Sequence, residues 1–160
     1  MSLQSTFLQL VKLDADFSLS LGRIYVTAGD DKNRVFGDMW HLDVATLEWT
    51  RCSPSGEFEP RTAQASAVVD SVLYVFGGAD SNKYFNDLLR FDFTNLSWGL
   101  VATTGDIPSA RVYSRMVSLK NKLYVYGGTD SGHEEQQLDD VYCLDLSMYK
   151  YEMINNADMC

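Results

Sequence analysis

Residues 73–78 read LYVFGG, and the stretch recurs: residues 24–29 read IYVTAG and residues 123–128 read LYVYGG. The starts at 24, 73 and 123 share a period near fifty residues, which marks a chain built from copies of one supersecondary unit. Working outward, Asp43 and Asp92 follow fourteen residues after Gly29 and Gly78, while Asp145 follows seventeen after Gly128. Six residues beyond each aspartate stands an aromatic: Trp49, Trp98 and Tyr151. Gly56, Pro60 and Arg61 close the first copy, and Gly105, Pro108 and Arg111 close the second. The boundaries fall at about 12–60, 61–110 and 111–160, all in one domain, with residues 1–11 an atypical N-terminal segment.

Short β-branched and aromatic runs at 66–69, 73–76, 87–93 and 98–102 are separated by turn residues, and no stretch sustains a helical period. Each repeat is therefore expected to hold four strands. An inner strand follows Arg61 or Arg111, a second ends at the Gly-Gly, a third ends at the aspartate and an outer one starts at the aromatic. These coincident markers resemble the kelch family. The resemblance implies an all-β, kelch-type β-propeller with three four-stranded antiparallel blades, a partial propeller. Spacings such as G-x-x-x-P-R, and third strands opening with Gly37-Asp38, Asn86-Asp87 and Asp139-Asp140, are similar to the kelch subtype of host cell factor, fungal cell-end markers and small-GTPase effectors. The subtype attached to BTB domains in ubiquitin-ligase adaptors is less similar, and 160 residues leave no room for a BTB domain.

Residues that recur in every copy are expected to be structural, since one active site needs no three copies. Gly29, Gly77, Gly78, Gly127 and Gly128 suit strand ends needing positive φ, with Ala28 in place of the first glycine of repeat one. Trp49, Trp98 and Tyr151 are expected to fill the wedges between blades. Asp43, Asp92 and Asp145 can accept backbone N–H bonds and set the following hairpin. Arg61 and Arg111 either bridge buried carbonyls between blades or line a pocket, and the structural role is expected; Lys12 stands in their place in repeat one.

The net charge of −9 opposes approach to nucleic acid or anionic lipid and suits a partner with a basic patch. Cys52, Cys143 and Cys160 are odd in number and unclustered, so buried reduced thiols are expected rather than disulfides or zinc. The N-terminus lacks a signal-peptide core, and a cytoplasmic or nuclear location is expected. His41 and His133 are the only histidines, too few for a triad or a histidine-rich metal centre. Glu135 and Asp139 fit an E-x-x-x-D-x-x-x-H pattern of kelch-fold plant specifier proteins, but Cys143 stands where histidine belongs. Asp80, Asn82 and Asn86 lack the closing acid of a calcium loop. No cofactor and no enzymatic activity are expected.

Function is expected in the connections between second and third strands, 30–36, 79–85 and 129–138, whose composition varies while their flanks repeat. Candidate partner-binding residues are Asp30, Asp31, Arg34, Asp80, Lys83, Tyr84, Asp130, His133, Glu134 and Glu135. The reading is a protein or peptide interaction module, scaffold or effector, with a substrate-recognition fragment of a ubiquitin-ligase adaptor as the alternative and a kelch-fold enzyme as the rival class. Propellers close with four to eight blades. Three blades therefore imply a fragment of a longer propeller, a head-to-tail homodimer making a six-bladed ring, or capped ends.

Overall fold

Leu73 and Val75 alternate with Tyr74 and Phe76, and both sets are apolar, so this strand must bury both faces. The computed structural model, which describes residues 16–20, 22–130 and 137–154, shows how it does so. Leu73, Val75, Leu89, Phe91 and Trp98 pack with Tyr25, Met39 and Cys52 on one side. Tyr74, Phe76, Leu88 and Val101 pack with Met116, Leu123, Val125, Leu144 and Tyr151 on the other. A sheet apolar on both faces is thus sandwiched between two neighbours, and the described residues are all strand, turn and loop.

The first blade is β1 (Asp16–Ser20), β2 (Arg23–Thr27), β3 (Met39–Asp43) and β4 (Trp49–Arg51), paired in that order. The second is β5 (Ala65–Val69), β6 (Val72–Phe76), β7 (Leu88–Asp92) and β8 (Ser97–Val101), again in order and antiparallel. The third holds β11 (Arg115–Leu119), β12 (Lys122–Asp130), β13 (Gln137–Asp145) and β14 (Lys150–Met153). Two short segments join it: β9 (Thr104–Gly105) pairs in parallel with β14, and β10 (Arg111–Val112) pairs with β12. The third sheet therefore exceeds four strands, a departure from the plain repeat. The three blades are those expected of a partial propeller.

The linkers explain the added pairings. Ser55 bridges in parallel to Ser97, donating to the Leu96 carbonyl at 3.0 Å and accepting from the Trp98 amide at 2.9 Å. Thr104 and Asp106 likewise donate to the Tyr149 and Tyr151 carbonyls, each at 3.0 Å. Each linker thus adds a strip to the outer edge of the blade that follows it. Gly56 and Gly105 make this approach at φ near +81°, and a Cβ on either would lie 2.2 Å from the carbonyl oxygen of Trp98 or Tyr151.

Two expectations are corrected. The second strand stops before the glycines in blades one and two, but β12 runs through Gly127 and Gly128 to Asp130. In the first two blades the second glycine's amide donates to the arginine carbonyl of the following linker, Gly29 to Arg61 and Gly78 to Arg111, both at 2.9 Å. In the third, Gly128 pairs with Leu138 of its own blade beyond a bulge at Tyr126. The longer connection lets both arms of the hairpin continue pairing, so the expected loop 129–138 is strand at both ends. The interblade wedge is filled by Trp98 and Tyr151, whereas Trp49 is half-buried and belongs to neither cluster.

Val117, Leu119 and Tyr126 correspond to Ala67, Val69 and Phe76, the residues of blade two that meet blade three. Phe76 is fully buried, but Val117, Leu119 and Tyr126 are 60%, 60% and 54% exposed. The outer face of blade three is therefore an apolar sheet surface of the kind that blades cover.

The expected hairpin aspartates behave alike. Asp43 accepts from the amides of Ala45 and Thr46, Asp92 from the amide and hydroxyl of Thr94, and Asp145 from those of Ser147. These bonds favour the carboxylate and hold all three below the ordinary 3.8: the Thr46 amide leads at Asp43, the Thr94 hydroxyl at Asp92 and the Ser147 hydroxyl at Asp145. A lowered native value means that the unfolded chain takes up protons first as pH falls. The stabilisation is complete above about pH 5 and is lost as pH drops through the native values. Thermal melting followed by near-ultraviolet circular dichroism should show a flat midpoint at neutral pH and a decline below about pH 4. An Asp92→Asn, Asp145→Asn double variant should have a shallower decline; an unchanged acid slope would count against this role.

Candidate interaction surface

Arg61 and Arg111 leave the sequence as ambiguous cations, and geometry assigns them. Both are at most 1% exposed. Arg61 Nη1 and Nη2 donate to the two oxygens of Asp87 at 2.6 and 3.0 Å, Nη1 also reaches the Gly77 carbonyl at 3.1 Å, and Nε reaches the Glu59 carbonyl at 3.2 Å. Arg111 repeats the set on Asp140 at 2.6 and 2.9 Å, the Gly127 carbonyl at 3.0 Å and the Ser109 carbonyl at 3.2 Å. A planar fork matched to one carboxylate is the strong form of ion pair. The guanidinium of Arg61 also lies 3.9 Å over Phe85. The side chains bind within their own blade, contrary to the expected bridge between blades. It is the arginine main-chain carbonyls that reach the preceding blade. The signal for the partner was in the sequence: Asp87 and Asp140 both end an acid-bearing pair at the start of a third strand. Lys12 lies outside the described residues.

The two described loops share one construction. Asp31 accepts from the amides of Asn33 and Arg34 at 3.0 Å, and Asp80 from those of Asn82 and Lys83 at 2.7 and 2.8 Å. These amides, Asn33 first at Asp31 and Asn82 first at Asp80, hold both carboxylates below the usual range. Asp30 accepts from the Lys32 amide and, through its other oxygen, from the Thr62 hydroxyl at 2.8 Å. Thr62 is itself bridged to Ala79. The linker thus ties the first loop to the second. The expected binding acids Asp30, Asp31 and Asp80 have turn-forming work, and what they present outward is the cations. Arg34 pairs with Asp31 at 3.4 Å and lies 4.8 Å over Phe36; Lys83 pairs with Glu59 at 3.0 Å and lies 4.7 Å over Phe85. Tyr84 is half-buried against Ala63, Ala79 and Val112. Asp130 is opposite Arg111 in the ladder. His133, Glu134 and Glu135 lie outside the described residues.

Sequence reasoning missed Glu59 and Thr62 as braces, and it missed Gln64 and Ser114. The last two stand fifty residues apart, each just before a first strand and beside a Gly-Gly glycine. Both are buried, and the Gln64 amide atoms and Ser114 hydroxyl have no hydrogen-bond partner among the described residues. Polar residues at the same repeat position in apolar surroundings were the available signal.

No catalytic constellation forms among the described residues. His41 Nδ1 is 3.3 Å from Cys52 Sγ, but burial pushes the imidazole down and the thiol up. Both groups stay neutral at pH 7, the opposite of an activated thiolate–imidazolium pair. Cys52 is buried as expected, Cys143 is only half-buried, and Cys160 lies outside the described residues. Among the described residues no three His, Cys, Asp or Glu side chains gather as a metal site.

Comparison with known proteins adds one match. The family model for the KLHDC2/KLHL20/DRC7 Kelch-repeats domain covers residues 16–159. No curated protein matches the chain.

Proposed function

Since the chain belongs to the KLHDC2/KLHL20/DRC7 kelch-repeat family, we propose that it is a scaffold or effector module that holds a protein partner against the loops joining second and third strands. Kelch-repeat domains generally mediate protein–protein interaction and are typically non-enzymatic. The observation that carries the reading is the shared turn at Asp31 and Asp80: one backbone shape presents Lys32, Asn33 and Arg34 in the first loop and Ser81, Asn82 and Lys83 in the second. A constant frame with changing tips is how a scaffold separates recognition from architecture. The third connection is the acidic one, with Asp130, Glu134, Glu135 and Asp139 around His133, and it suits a basic peptide. The bare apolar face of blade three is covered by a further blade, from a longer propeller or from a second copy arranged head to tail.

The test is a peptide-array selection on the full chain, followed by titration of the best basic binder. A Glu134→Lys, Glu135→Lys double variant should weaken it at least tenfold, with steeper salt dependence in the parent. Undiminished binding to that variant would overturn the assignment of this loop.

A further inference from the structure

The two interblade linkers are, in effect, peptides docked on an outer strand. Ser55-Gly56-Glu57-Phe58-Glu59 lies on blade two with four contacts. Ser55 pairs in parallel with the strand, and Gly56 passes over the Trp98 carbonyl. The Phe58 ring sits 4.4 Å from the Trp98 ring, and Glu59 pairs with Lys83 at 3.0 Å. Thr104-Gly105-Asp106 repeats the first steps on blade three, where Asp106 also accepts from the Met153 amide. The molecule therefore displays its own recognition code twice: Ser or Thr, then Gly, then an acid, in parallel with the outer strand.

Blade one presents the receiving half of that code. Among the described residues β4 is the terminal strand of its sheet, and Trp49 stands where Trp98 does, half-buried. Leu47 and Trp49 occupy the backbone positions whose counterparts, the Leu96 carbonyl and Trp98 amide, bind Ser55. Forty-nine positions before Gly56 stands Phe7, so the position equivalent to the glycine that the close approach needs holds a phenylalanine here. The charges are also set for an acidic peptide. Arg34 takes the place of Lys83, which pairs with Glu59, and Arg51 takes the place of Leu100, which lines one groove with Glu57, the acid that follows glycine. In blade two the corresponding groove is walled by the linker acids Glu57 and Glu59 beside the paired Arg61 and Asp87; in blade one a groove of about 450 Å³ is walled by Arg34, Phe36, Asp38, Trp40 and Arg51, with two cations to one acid. The Trp40 indole is fixed by its N–H donating to Asp38 at 2.7 Å.

We infer that the outer edge of blade one binds an extended peptide of the form Ser/Thr-Gly-Asp/Glu-aromatic-Glu, added in parallel to β4. Main-chain bonds to Leu47 and Trp49 supply the hold, the glycine permits contact, the aromatic lies on Trp49 and the two carboxylates meet Arg51 and Arg34. This surface shares Arg34 and Phe36 with the first strand-connecting loop but is centred on the outer edge of β4, and it rests on the same reading of the chain as an interaction module.

The probe is a fluorescein-labelled peptide of sequence SPSGEFE, that of residues 53–59, titrated onto the full chain by anisotropy. Saturable binding is expected, weakened at least tenfold when the peptide glycine becomes valine and at least tenfold by Arg34→Glu with Arg51→Glu. A peptide carrying lysines for both glutamates should bind that double variant better than the parent. Hydrogen exchange should slow at residues 47–51. No binding, equal binding of the valine peptide, or protection confined to β8 or β14 would overturn the inference. The basic peptide selected on the acidic loop serves as the control: its binding to Arg51→Glu, which lies in β4 and outside the strand-connecting loops, should be unchanged, so failure of this site leaves the loop assignment standing.

Discussion

Arg111→Ala should cost the chain about 3–5 kcal/mol of folding stability, the range seen when one partner of a buried ion pair is removed. The guanidinium is fully buried and makes two bonds to Asp140, one to the Gly127 carbonyl and two to Ser109. Alanine fills none of that volume and leaves the Asp140 carboxylate, itself mostly buried, without its counter-charge. Arg111→Lys keeps the charge but not the fork, so it should recover only part of the loss. Arg111→Met with Asp140→Leu removes both charges together and should recover most of it. Urea denaturation of the four proteins distinguishes these cases. Lys83→Ala, which breaks an ion pair about half exposed at both ends, should cost less than about 1 kcal/mol. A loss at Arg111 no larger than that would show that the buried fork is not what holds the linker to its blade.

That pair shows where sequence is informative and where it stops. The period near fifty, the Gly-Gly, the hairpin aspartate and the aromatic are local marks, and each keeps the same job in every blade because the same strand geometry recurs. The arginine is visible by the same logic, but its partner lies 26 residues on in one blade and 29 in the other. Spacing that differs between copies hides a contact that is identical in space. The third hairpin departs from its sequence pattern for a related reason: its extra residues read as loop, whereas backbone groups on two facing arms pair whenever the register lets them. The candidate site was legible only as a location. Its aspartates looked like binding acids because carboxylates near a surface have two uses, and only the structure shows their oxygens turned back onto the amides two and three residues ahead. Trp49 reads like Trp98 in sequence, and among the described residues only Trp98 has another blade's apolar residues packed with it.

Gly105→Ala is expected to be nearly as damaging as Gly105→Val, because the harm comes with the first carbon. At φ near +81° an L side chain costs about 1–2 kcal/mol in backbone strain alone. The new Cβ would also lie 2.2 Å from the Tyr151 carbonyl oxygen, a main-chain atom fixed by its own ladder. The linker must then lift off β14. That forfeits the Thr104 and Asp106 amide bonds to Tyr149 and Tyr151, roughly 1 kcal/mol each, for a total loss of about 3–4 kcal/mol. Gly22 separates the two contributions, since it too has positive φ, at +72°, but a Cβ there meets nothing within 4 Å. Gly22→Ala should therefore show the backbone cost without the collision. Urea midpoints should fall markedly further for Gly105→Ala than for Gly22→Ala, with faster hydrogen exchange at the Asp106 amide only in the former. Equal losses would mean that the linker merely passes β14, and the parallel docking from which the blade-one peptide site is inferred would lose its energetic basis.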